Sequence, residues 1–118
     1  MLLAVGEHKL GRLAPQAQRM ATPLAGGLGC TYLEVCGALV GGVMVIGGLL
    51  GRTDTAEDDE QAQALAARFR TRFLAELGHT QCQAIRDRVH APGGPGTCAF
   101  VVEQAAHILL VLLEEEGL

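Results

Sequence analysis

Aromatic side chains are nearly missing from this chain: it has no tryptophan, one tyrosine and three phenylalanines in 118 residues. Apolar residues still make up 49% of it, so the core has to come from Leu, Val, Ala, Ile and Met. No Lys/Arg cluster occurs and the net charge is −4, which argues against nucleic acid as a partner. There is no Ser-His-Asp arrangement, no P-loop and no dinucleotide fingerprint. Gly26-Gly27-Leu28-Gly29 is too short for one and precedes no strand. No C-x-x-C occurs, so neither a thioredoxin motif nor a zinc ribbon is supported. Strand-like alternation is absent at useful length, and no internal repeat is evident. Residues 1–5 have no basic flank and are too short for a signal peptide. A reducing cytoplasm is therefore expected, where several cysteines point to metal or redox work rather than structural disulfides.

A long apolar run is present, and its length matters. Residues 35–51 hold seventeen positions without a charge, at the lower limit for a membrane span. Six of them are glycine, and Glu34 and Arg52 bracket the run. A buried central helix, residues 35–50, is the better account, and no membrane partner is expected. Thr31 and Glu34 have the spacing of a capping box for it. Gly37, Ala38 and Gly41 form a small-residue strip on which another helix can approach closely.

The other elements follow by pattern. Residues 2–11 read as the tail of a helix. Pro15 suits the first turn of a second, which Pro23 ends. Residues 54–77 form the clearest amphipathic helix, with Ala62, Leu65, Ala66, Phe69, Phe73 and Leu77 at helical spacing. Asp54 or Thr53 caps it, the carboxylates at 57–60 favour its solvated start, Arg68, Arg70 and Arg72 suit its C-terminal end, and Gly78 stops it. A short helix over 82–89 starts from Thr80. After the turn-rich loop 91–96, Thr97 caps a last helix, whose end at Glu114–Glu116 opposes the dipole and should fray. The expectation is an all-α, single-domain helical bundle of about five helices over residues 1–118.

Four cysteines carry the chemistry: Cys30, Cys36, Cys82 and Cys98. Cys36, Cys82 and Cys98 each begin a helix, where free N–H groups and positive potential suit a thiolate. Cys36 is the strongest candidate. Its thiol is expected to be the most acidic, only partly buried, at the edge of a small pocket lined by residues 26–29. Gly37 and Gly41 would let a ligand or second sulfur approach the backbone closely. Four thiolates would suit an iron–sulfur cluster or zinc. His79, three residues before Cys82, is the histidine best placed to join them; His107, His8 and His90 are expected in structural or solvated roles.

The segment Cys36-Gly37-Ala38-Leu39-Val40-Gly41 resembles a family of redox-active proteins named for the pattern C_GCAxxG_C_C. The likeness runs from Gly26-Gly27 through the apolar helix ending at Gly51, past Phe73, Gly78 and Cys82, to Cys98 and the helix with Ala105, Ala106, Leu109 and Leu110. It maps Cys36, Cys82 and Cys98 directly onto three of the family's four cysteines. The fourth, normally in an N-terminal helix near Asn-Cys-Ala, has no counterpart at residues 1–4, and Cys30 is an extra cysteine that could replace it. The resemblance implies redox or metal chemistry without naming a reaction. Three functions follow: a metal or iron–sulfur electron-transfer module with a redox partner protein, a metal-free thiol–disulfide protein in which Cys36 attacks, or a non-catalytic helical homodimer packed through apolar faces.

Overall fold

A computed structural model describes all residues 1–118. The chain is all-α. A π-helical stretch, Leu2–Gly6, runs into α1 (Glu7–Leu10). Then come α2 (Pro15–Ala21) with a trailing 3₁₀ turn (Thr22–Leu24), α3 (Gly37–Leu50), α4 (Glu60–Leu77), α5 (Cys82–Val89) and α6 (Ala99–Glu115). That makes six α-helices rather than about five. No helix is long and apolar enough to cross a membrane.

α3 lies at the middle of the packing, against α4, α6 and the N-terminal helical stretch. It buries Ala38, Leu39, Gly41, Gly42, Val45 and Ile46 and leaves Val43, Gly47 and Gly48 exposed. Phe69 and Phe73 of α4 and Leu109 and Leu112 of α6 are completely buried against it. Each such side chain contributes about 1.5–3 kcal/mol by leaving water. Two glycines set how closely α3 is approached. At Gly41 a Cβ would stand 2.9 Å from Met1 Cβ and 3.2 Å from Leu2 N, and at Gly42 it would strike the Phe69 ring. Gly37 does not face a helix: its nearest neighbour is Ala25 Cα, 3.6 Å from an added Cβ.

Two helix starts differ from the sequence expectation, both for backbone reasons. Residues 31–36 are not helical. Their backbone groups are shared between residues 26–28, where Tyr32 N donates to Gly26 O (2.9 Å) and Glu34 N to Gly27 O (3.2 Å), and residues 80–83, where Cys36 N donates to Thr80 O (2.8 Å), Cys82 N to Glu34 O (2.8 Å) and Gln83 N to Tyr32 O (2.9 Å). Val35 and Gln81 form an isolated antiparallel bridge within this pairing. Thr31 therefore caps no helix. Its hydroxyl donates to the carbonyls of Gly27 and Leu28 and accepts from Leu33 N. α4 likewise begins at Glu60 rather than Asp54, because residues 53–57 fold as a turn held by the Asp54 carboxylate on Ala56 N and by Arg52 on two carbonyls. Asp58, not Asp54 or Thr53, accepts the N–H at the start of α4, from Glu60.

α6 continues as helix through Glu115, and two of its terminal carboxylates are paired. Glu115 pairs with Arg72 (2.6 Å) and Arg68 (3.4 Å), and Glu116 pairs with Arg68. Of the three arginines expected to serve α4's own dipole, Arg68 and Arg72 anchor a neighbour's carboxylates and Arg70 pairs with none.

Candidate functional site

Three helix starts meet at one hollow. Cys36 is the N-cap residue of α3, Cys82 opens α5, and Cys98 is the N-cap residue of α6. All three line a cavity of about 360 Å³, with the residues 24–26 forming one wall and Gly37 and Gly41 also in the lining. All four cysteines are free thiols. Cys36 is 8% exposed and Cys82 7%, while Cys98 is half-buried and Cys30 exposed.

The local reason for each placement is legible. Cys36 leaves helical geometry (φ −54°, ψ 132°) because its N–H is taken by Thr80. Its carbonyl then accepts from Leu39 and Val40 to start the helix. Cys82 is held from the other side by Gly27. A side chain there would place Cβ 2.6 Å from Cys82 Cβ, and φ is +68°, so glycine alone fits. Cys30 sits outside, where an added Gly26 Cβ would be 3.0 Å from its Sγ.

Burial dominates the ionisation of the two deepest thiols. It pushes Cys36 up; the amides of Ala38 and Leu39 work against it, and the nearby Cys98 would add to it when charged. Those amides lie close enough to favour the anion without completing a hydrogen bond to sulfur. Cys82 is also pushed up by burial, then by Cys36, with Arg86 working in the opposite direction. The expectation of a partly buried, acidic Cys36 is thus corrected. It stands in a pocket wall, but the loop residues lining that pocket are 24–26 rather than 26–29, and its surroundings are apolar, where loss of water outweighs the helix start. Cys36, Cys82 and Cys98 share the lining of the one cavity, and Cys30 is not part of it.

The ligand set for a metal is another matter. No group of three or more His, Cys, Asp or Glu side chains stands where it could hold one ion. His79 is exposed and outside the cavity lining, as are His8, His90 and His107. The residues present do not fit a preformed iron–sulfur or zinc centre.

Arg86 is the cavity residue that sequence reasoning passed over. It is the one charged side chain in the lining, and its guanidinium lies 4.1 Å from the centre of the Tyr32 ring. The available signal was its spacing: four residues after Cys82 in a helix, hence on the same face.

A family model described as "Putative redox-active protein (C_GCAxxG_C_C)" matches residues 1–112 of the 118. The chain belongs to this family. No curated protein and no solved structure matches it. The family pattern sets a cysteine directly before its alanine, whereas here the order is Cys36-Gly37-Ala38. Cys36 thus takes the place of the motif glycine, one residue earlier than a direct correspondence would have it. The shift puts the thiol at the N-cap of α3 rather than at its first helical residue. Both positions line the same cavity.

Proposed function

We propose that the protein is a metal-free thiol–disulfide redox protein whose working couple is Cys98 and Cys36. The observation that carries this is the graded exposure of the three thiols around one apolar cavity: Cys98 half-buried, Cys36 and Cys82 buried. The accessible thiol meets the partner and a buried one resolves. Cys98, as thiolate, attacks one sulfur of a partner protein's disulfide. That S–S bond breaks, and the partner's other sulfur leaves as a thiolate. Cys36, deprotonated, then attacks Cys98 Sγ, forming the intramolecular disulfide and releasing the partner's second thiolate. Two electrons have passed to the partner, and the two protons lost by Cys98 and Cys36 go to its thiolates. This order reverses the expectation that Cys36 attacks, because a buried neutral thiol is the poorer first nucleophile. Free thiols of this kind suit a reducing cytoplasm. An iron–sulfur cluster or zinc would need three or more ligating side chains around one point, and no such group is gathered here. A homodimer would use the exposed Leu28, Leu33 and Val35 beside the loop.

Oxidised glutathione tests the couple. The wild-type chain should lose two titratable thiols reversibly, mapped to Cys36 and Cys98, while Cys36→Ser should accumulate a mixed disulfide on Cys98. A stable mixed disulfide on Cys98 in the wild type, or metal in stoichiometric amount on these thiols after anaerobic purification, would sink the reading. Exchanging the motif pair, Cys36→Gly with Gly37→Cys, should preserve the couple, because a Cβ at position 37 has 3.6 Å of clearance and faces the same cavity.

A further inference from the structure

The cavity is larger than thiol exchange requires, and its polarity is uneven. Its walls are mainly aliphatic, from Leu24, Val40, Met44, Ile85, Val101 and Val102, and its volume of about 360 Å³ is at the small end of the range for ligand pockets. Among those walls stands one charged side chain, Arg86. Arg86 makes no ion pair and no side-chain hydrogen bond. Other arginines without partners, Arg12, Arg19 and Arg70, are exposed, whereas Arg86 is half-buried. Water solvates the exposed ones. The Tyr32 ring lies against the Arg86 guanidinium, 4.1 Å from its carbon to the ring centre, and the guanidinium N–H groups donate to no protein acceptor.

We propose that this cavity binds a small apolar carboxylate, with Arg86 pairing with its charge and the aliphatic walls taking its hydrocarbon body. A guanidinium with free edges is shaped for a bidentate carboxylate. A neutral ligand would leave that cation without a partner in a partly dry site. A multiply charged ligand would find no second charged side chain. The chain's net charge of −4 gives anions no general attraction, so binding would depend on this one group. The proposal stands apart from the redox reading: a chain that binds the carboxylate but forms no disulfide keeps this inference and loses that one, and the converse also holds.

The test uses the reduced full-length protein under argon, titrated calorimetrically with octanoate and, separately, with octanol. Octanoate should bind at least about tenfold more tightly, the scale of a hydrogen-bonded charge pair. Arg86→Met should abolish the difference, and Arg86→Lys should keep part of it. Bound octanoate should also slow alkylation of Cys98 and leave exposed Cys30 unaffected, a readout that needs no variant to fold. Equal binding of acid and alcohol, binding of neither, octanoate affinity unchanged in Arg86→Met, or no selective shielding of Cys98 would each overturn the proposal.

Discussion

The two ends of the bundle are built by opposite rules. Where α4 meets α6, Phe69 and Phe73 pack edge to face, with centroids 6.3 Å apart, among fully buried Leu109, Leu112 and Leu113. Gly42 is small so that Phe69 can lie on α3, and Arg68 and Arg72 close the surface over Glu115 and Glu116. At the thiol end a cavity stays open and an arginine stays unpaired. Three non-glycine residues, Leu28 (φ 73°), Cys30 (φ 55°) and Tyr32 (φ 64°), hold left-handed backbone. One end supplies stability. The other keeps strain and unused chemistry, as functional regions tend to.

The largest expected effect falls on the packed end. Phe69→Ala should cost about 3–5 kcal/mol in denaturant unfolding, through lost burial and the hole left behind. Cys98→Ala, at the open end, should cost under about 1.5 kcal/mol, since a half-buried side chain beside a cavity leaves little new void. Equal costs would erase the contrast.

The second effect belongs to the thiols and to alkaline pH. Burial favours the neutral forms of Cys36 and Cys82 in the folded state. An unfolded cysteine ionises near ~8.5. Below that pH both states keep their protons and the contribution is fully present. Above it the unfolded chain loses protons first, so stability falls as pH rises towards the folded values. Melting temperatures under reductant should therefore drop from pH 8 to pH 10, and Cys36→Ser with Cys82→Ser should flatten that slope. A wild-type slope no steeper than the double variant's would show that burial does not govern these thiols.

A smaller effect probes the strain. Leu28 is half exposed and left-handed, a geometry costing about 1–2 kcal/mol for a side-chain-bearing residue. Leu28→Gly relieves that cost and loosens the unfolded chain, which offsets part of it. The net result should be a gain below about 1 kcal/mol. A loss of that size would mean that the leucine side chain holds the loop.

Much of the packed end was legible in sequence, and less of the open end. The spacing Leu65, Phe69, Phe73 marked the buried face of α4, and all three are buried. Gly78 stops that helix with φ +78°, as its position suggested. These features are local. The pairing of residues 32–36 with 80–83 is not: it joins segments nearly fifty positions apart and overrides a plausible capping box. The same pairing carries Cys36 to Cys82. Helix starts could be read for each cysteine, but the burial that reverses the expected acidity of Cys36 arises only when α5 and α6 close over it.

The smallest effect tests whether the ion pairs that finish the packed end matter at all. Glu115 accepts from Arg72 at 2.6 and 3.1 Å, a two-pronged contact, and this hydrogen bonding holds its carboxyl below the ordinary carboxylate range. The charged form is thus favoured in the folded state. Its contribution is fully present above the unfolded value near ~4.3 and is lost as pH falls through the lower folded one. The Arg72 and Glu115 side chains are 38% and 44% exposed, so water and salt screen the pair, and it must also hold two long side chains still. Arg72→Gln should lower the melting temperature slightly at pH 7 and by less at pH 2.5, and 1 M salt should shrink the difference at pH 7. The window is the mirror image of the thiol effect: acid weakens the packed end and alkali the open one. If Arg72→Gln destabilised the chain as much at pH 2.5 as at pH 7, the arginine would be acting through its aliphatic stem on α6 rather than through its charge.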